Sequence, residues 1–140
     1  MVEPPINYLG GFLYIYFVKN NQLGTYSEYL FATECIKRGY LVSFPLMDSS
    51  PYDCIVDTGV SLVKIQIKAS EKRPYDRKNS VNVPLQNAKS IYTKDVVDYF
   101  AVYSSFYGGF FIFPNKGNMQ SIRLSLTGKN KIFFNNFALM

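Results

Sequence analysis

The chain has 140 residues, 48% of them hydrophobic, which fits one domain spanning residues 1–140 with a sizeable core. Lys and Arg number 15 against 10 Asp and Glu, for a net charge of +5, and this balance favours an anionic partner, nucleic acid foremost. The absence of histidine removes the commonest general base, the commonest zinc ligand and any Ser–His or Cys–His mechanism.

In chain order, Met1-Val2-Glu3-Pro4-Pro5 lacks the basic start and long apolar stretch of a signal peptide. Gly10-Gly11 precedes Phe12 to Val18, a β-branched and aromatic run that predicts a strand. That run is far too short to cross a bilayer, which needs about 20 residues. The chain is therefore expected to be soluble and cytoplasmic, with no membrane partner. Asn20-Asn21 and Gly24 predict a break. A helix is predicted over Thr25 to Arg38, capped by Thr25 or Ser27 and stopped at Gly39. Tyr26, Tyr29, Leu30, Thr33 and Ile36 form one apolar stripe; Glu28 shares a second row with Phe31, Ala32 and Cys35, which aims it at protein. Cys35 and Cys54 lie in apolar surroundings without Cys-x-x-Cys spacing and read as reduced core residues.

Tyr40 to Phe44 reads as a strand closed by Pro45, and Asp48-Ser49-Ser50-Pro51 as a loop. Tyr52 to Val56 and Leu62 to Lys68 read as a hairpin with a tight Thr58-Gly59 link. Glu71 to Ser80 is a basic loop, and Asn82 to Lys94 a short helix or loop. Asp98 to Tyr103 and Gly109 to Pro114 are strands joined by a glycine turn, and Ile122, Leu124 and Leu126 mark a further strand. The aromatic tail from Lys131 packs on the core or on another subunit.

Within the hairpin, Val63, Ile65 and Ile67 share one face and Lys64, Gln66 and Lys68 the other. Apolar strands rarely contain Asp, Gln and Lys, because desolvating them without partners costs a few kcal/mol each. Asp53 opens the partner strand and reaches the Gln66 face. A carboxylate from Asp53, an amide oxygen from Gln66 and the backbone carbonyl of Ile67 are donors suited to a hard cation such as Mg2+. Lys68 then assists deprotonation of a water or stabilises phosphate charge. Taken singly, Asp53 also fits a turn cap, Gln66 and Lys68 a solvated strand edge, and Glu28 an acid near a helix start.

Taken in order, the helix Glu28, then Pro51-Tyr52-Asp53, then Gln66-Ile67-Lys68 resembles the PD-(D/E)xK nuclease core, with one residue inserted in the first element and Gln in place of the usual acid. The wider pattern adds Gly24-x3-Glu28, Gly39-Tyr40-x-Val42-Ser43-x-Pro45, Tyr52-Asp53-x-Ile55-Val56 and Asp98-Tyr99-Phe100-Ala101-Val102-Tyr103. Over about residues 24 to 114 it is similar to the group I intron-encoded homing endonucleases of the cyanobacterial transfer-RNA-intron type. That resemblance implies a restriction-endonuclease-like α/β fold, a mixed central sheet flanked by helices. It implies sequence-specific hydrolysis of both strands of a long, roughly palindromic double-stranded DNA site, in a bacterial type of cell. The implied cofactor is Mg2+, with Mn2+ or Ca2+ able to occupy the site. Asp53 matches the central metal ligand, Gln66 the second, Lys68 the catalytic lysine, and Glu28 the acid holding a water of the ion or a second ion. It also implies a homo-oligomer, a tetramer. The neutral Gln66 lowers the negative charge of the site and so weakens metal binding.

The basic residues Lys72, Arg73, Arg77, Lys78, Lys89 and Lys94 follow the Lys68 strand and are candidates for DNA phosphate contacts. Arg73, Tyr75, Arg77, Asn79 and Asn82 are candidates for base reading. Two rival readings share the fold: a Holliday-junction-resolvase-like nuclease, and a non-catalytic DNA-binding protein, which the neutral Gln66 favours.

Overall fold

The computed structural model describes residues 7–9, 12–14, 20–86 and 91–140. Strands β1 (Asn7–Leu9) and β2 (Phe12–Tyr14) pair antiparallel. The strand expected over Phe12 to Val18 is found for its first three residues; residues 15–18 lie outside the described set.

Helix α1 spans Asn20–Lys37. Its start differs from expectation: Asn20, Asn21 and Gly24 are its first turns rather than a break, and Thr25 and Ser27 are interior rather than caps. Ser27 is buried and its hydroxyl donates to the Gly24 carbonyl at 2.7 Å, which satisfies it within the helix. The row expected to face protein is the buried one. Leu23, Ser27, Phe31, Ala32 and Cys35 are buried, whereas Tyr29 and Ile36 of the other apolar stripe are 66% and 63% exposed. Both rows of the helix are apolar, and the sheet takes the one that carries Glu28. The phenyl ring of Phe31 decides it, edge-on to Phe110 at 5.4 Å and stacked on Phe137 at 5.7 Å. The predicted stop holds: Tyr40 N–H donates to Cys35 O (3.1 Å) and Gly39 N–H to Ile36 O (2.9 Å), with Gly39 at φ +82°. This closure needs a left-handed residue, which glycine adopts without steric cost.

The remaining strands are β3 (Leu41–Ser43), β4 (Cys54–Asp57), β5 (Leu62–Ser70), β6 (Val81–Pro84), β7 (Tyr99–Ser104), β8 (Gly109–Pro114) and β9 (Ser121–Leu124). The central sheet has the order β3-β4-β5-β7-β8 and is mixed, with β5 and β7 parallel and the other pairs antiparallel. The β4–β5 link is a four-residue loop, residues 58–61, rather than the tight turn expected, because the last pair is Asp57 with Leu62. Thr58 N–H donates to Ser61 O inside it.

Strand alternation divides the core into two layers. On the α1 side, Cys54, Val56, Val63, Ile65, Ile67, Ala101, Phe110 and Ile112 pack with Phe31, Cys35 and Phe137. On the opposite side, Phe100, Val102, Phe111 and Phe113 pack with Val81, Val83, Leu85, Ile122 and Leu124. The expected flanking helices are therefore realised on one face; β6 and β9, an antiparallel ribbon, cover the other among the described residues. The short helix expected within Asn82 to Lys94 is not formed over residues 82–84, which belong to β6. The aromatic tail packs on the core: Phe137 is buried in the first layer, and Phe133 and Phe134 lie against the second. Gly109 makes room for it, since a Cβ there would stand 2.6 Å from Asn135 Oδ1 and 2.7 Å from Phe134 Cζ. Both cysteines are free and buried, and burial raises both thiols, that of Cys35 to about 12. Among the described residues, no helix is long and apolar enough to cross a membrane.

Candidate active site

The site arises from a difference in strand length. Strand β4 has four residues and β5 has nine. Cys54 pairs with Ile65, and Asp53 N–H donates to Ile65 O at 2.8 Å, so the regular ladder ends at Cys54 with Asp53 just beyond it. Past that point β4 has no residue to offer, while β5 continues against β7. In an extended strand the N–H and C=O of one residue point to the same side, and successive residues alternate. Lys64 O and Ser70 O accept from Asp98 N–H and Ser105 N–H on the β7 side. Ile65 faces β4, and so does Ile67. With β4 ended, the Asp53 side chain takes the place of a strand residue: its Oδ2 accepts the Ile67 N–H at 2.6 Å. The Ile67 carbonyl is directed into the same gap.

Glu28 reaches this gap from α1, because it lies beside the buried row that packs on the sheet. Burial raises its carboxyl above the usual range, and the Asp53 charge raises it further. Burial likewise raises the Asp53 carboxyl, against the opposing pull of the Ile67 N–H and the Lys68 ammonium. Two carboxylates are thus held close, half-buried, with one nearby cation. Gln66 and Lys68 are half-buried on the face away from α1, paired in register with Phe100 and Val102. An open cavity of about 270 Å³ lies between the start of α1 and the end of β5, lined by Leu23, Gly24, Ile67, Lys68, Ala69 and Glu71.

The structure thus gathers Glu28, Asp53, Ile67 and Lys68 around the end of β4, whereas Gln66 is half-buried beside Phe100 in register and makes no hydrogen bond to them. The basic candidates are spread more widely. Lys72, Arg73, Tyr75, Arg77, Lys78 and Asn79 are exposed on the loop leaving β5. Asn79 Nδ2 donates to Thr127 Oγ1, and Lys72 Nζ to the Asn82 carbonyl. Asn82 is exposed on β6; Lys94 is exposed before β7, and Lys89 lies outside the described residues. Sequence reasoning missed Arg123. It is the register partner of Asn82 and points outward from the ribbon, because Ile122 and Leu124 point inward. Its alternating Ile-Arg-Leu surroundings carried that signal. It also missed Tyr92, whose hydroxyl lies 3.4 Å from Lys68 Nζ.

A family model described as PD-(D/E)XK endonuclease matches residues 18–133. The chain belongs to the PD-(D/E)XK endonuclease family. Among solved structures it is similar in fold to the bacterial homing endonuclease I-Ssp6803I, with a TM-score of 0.70, 20% identity, and coverage of 88% of this chain and 91% of that one. A weaker likeness is to Hjc, a Holliday junction resolvase of Archaeoglobus fulgidus, with a TM-score of 0.46, 13% identity, and 73% and 83% of the two chains covered. A search of curated proteins finds no match in sequence. The restriction-endonuclease-like α/β fold expected from the motif order is the fold observed.

PD-(D/E)XK nucleases generally use divalent metal ions. The donors at the end of β4 fit a hard cation: two carboxylates and a strand carbonyl directed into the gap. The Asp53 charge that raises the Glu28 carboxyl marks an excess of negative charge that a cation would relieve. Softer metals find no ligands, since the chain has no histidine and the thiols of Cys35 and Cys54 sit raised inside the core. Among the described residues, no group of three or more His, Cys, Asp or Glu converges. Gln66 explains this, because it occupies the position where the family motif names an acid.

Proposed function

We propose that this PD-(D/E)XK protein is a Mg2+-dependent, sequence-specific homing endonuclease that hydrolyses both strands of a long, roughly palindromic DNA site. The observation that supports the reading is the hydrogen bond from the Ile67 N–H to Asp53 Oδ2, at a carboxyl that the Lys68 ammonium also pulls on. Asp53, the Gln66 amide oxygen and the Ile67 carbonyl hold the ion, with Mn2+ or Ca2+ able to replace it. The bound ion supplies acidification of the attacking water and screening of the phosphate charge. Glu28 orients a water at the α1 side of the site. Lys68 places its ammonium where negative charge grows on the phosphate, the arrangement that lowers a barrier most effectively when it is fixed in advance.

The basic loop 71–80 continues directly from β5 and supports a DNA path past the site. The β6–β9 ribbon supports base reading, because a two-stranded ribbon fits the major groove and presents Asn82 and Arg123 side by side. One site per chain cuts one strand, so double-strand cleavage requires a symmetric homo-oligomer, in this reading a tetramer. Exposed apolar residues support an assembled state: Leu41 on the edge strand, Leu62 across the hairpin, and Phe44, Leu46 and Met47 beyond it.

Incubation of the protein with its intron-insertion-site DNA and Mg2+ tests the proposal directly. Double-strand cleavage that EDTA abolishes and Lys68→Ala slows by about 10²-fold or more is expected. Intact DNA under these conditions, with tight metal-independent binding, would establish instead the non-catalytic DNA-binding protein that the neutral Gln66 favours. Preferential cutting of a four-way junction over linear duplex would establish a resolvase. Light scattering of the purified protein checks the tetramer.

A further inference from the structure

Resting on the reading of Lys68 as the catalytic lysine, we propose that Tyr92 is the positioning residue that aims its ammonium. A lysine has a flexible four-carbon stem and three rotatable donors, so its charge acts at a defined point only where something restricts it. Lys68 Nζ lies 3.4 Å from the Tyr92 hydroxyl and 5.0 Å from the centre of its ring, so the tyrosine meets it with both a hydrogen-bond acceptor and a π surface. Asp53 attracts the same ammonium. The lysine is therefore held by an aromatic ring supplied by the segment before β7, with the carboxylate at the end of β4 near enough to pull on its charge.

That segment has no strand or helix of its own between Ile91 and Asp98, yet it is firmly tied. Asn115, buried just after β8, donates its Nδ2 to the carbonyls of Tyr92 (3.1 Å), Thr93 (3.1 Å) and Val97 (2.9 Å). Its Oδ1 accepts the Gly117 N–H. The ring of Tyr92 stands edge-on to Phe100 at 5.7 Å. Packing against Phe100 asks only for a ring, and phenylalanine would serve it. The hydroxyl is the atom that packing does not require, and it is directed at Lys68.

The experiment is a double-mutant cycle in single-turnover cleavage of the site DNA with Mg2+, using the full chain. Tyr92→Phe removes one oxygen and keeps the ring. It is expected to slow the maximal rate about 10-fold, the scale of a slightly misplaced catalytic group. The DNA concentration for half-saturation and the thermal midpoint should stay unchanged. In a Lys68→Ala background the same change should have no further effect. A Tyr92→Phe rate equal to wild type, while Lys68→Ala is slowed about 10²-fold or more, overturns the inference and leaves the site reading intact. So does an equal slowing in both backgrounds, or a loss confined to half-saturation. A Lys68→Ala enzyme as fast as wild type overturns the site reading itself.

Discussion

Two antiparallel hairpins lie side by side in the central sheet and have opposite characters. Strands β7 and β8 are equal in length, paired from Tyr99–Pro114 to Ser104–Gly109, and nearly all buried. Their side chains alternate cleanly between the two core layers. Strands β4 and β5 are unequal, and the excess of β5 leaves backbone groups without a strand partner on one side. A buried N–H left without a partner costs about 1–3 kcal/mol. Asp53 meets that need at Ile67, and in doing so brings a carboxylate to the place where Ile67 also directs its carbonyl. The matched hairpin makes a wall; the mismatched one makes a site. Polar chemistry enters this sheet where the ladder stops.

Removing charge from the mismatched hairpin should break function and spare the fold. Lys68→Ala and Asp53→Asn are each expected to lower the cleavage rate by about 10²–10³-fold or more, the usual loss of an electrostatic group in a site. Single-turnover rates with circular dichroism as a control measure this. The reverse should hold in the matched hairpin. Phe113→Ala, at a fully enclosed ring stacked on Phe100, is expected to cost about 3–5 kcal/mol in denaturant unfolding. The cleavage rate per folded molecule should be unchanged. Gly109→Ala, at the end of that hairpin, is expected to cost about 1–3 kcal/mol by forcing Phe134 and Asn135 away.

The smallest effect sharpens the contrast through pH. Asp53 and Glu28 have raised carboxyl pKa values. For such groups the stabilising contribution is fully present below the ordinary carboxylate pKa and is lost as pH rises through the raised folded-state value. At neutral pH without divalent ion, ionised Asp53 therefore opposes folding. Asp53→Asn is expected to raise the thermal midpoint slightly at pH 7 in EDTA and to give no gain at strongly acid pH. Calorimetry at the two pH values checks the sign. Cleavage, which needs both carboxylates ionised, should fade on acidification at a higher pH than ordinary carboxylates would dictate.

Much of the site was legible because it is local. Pro51-Tyr52-Asp53 and Gln66-Ile67-Lys68 belong to one hairpin, and period-two alternation places Gln66 with Lys68 whatever else the chain does. Glu28 was legible for a similar reason: it shares a row with Phe31, Ala32 and Cys35, and that row is buried. The start of α1 was misread because Asn20, Asn21 and Gly24 are poor helix formers whose propensity the sheet overrides. The four-residue loop was misread because Gly59 signals a turn but not its length.

The sequence by itself determined the strands of the central sheet, the order of the chemical groups and the faces within the hairpin strands, since these depend on neighbours along the chain. Tertiary structure alone decided that β6 and β9 close the second face and that Tyr92 meets Lys68. Each of these joins segments far apart in sequence, and their partners are chosen by shape and by unmet hydrogen bonds, which no local pattern records.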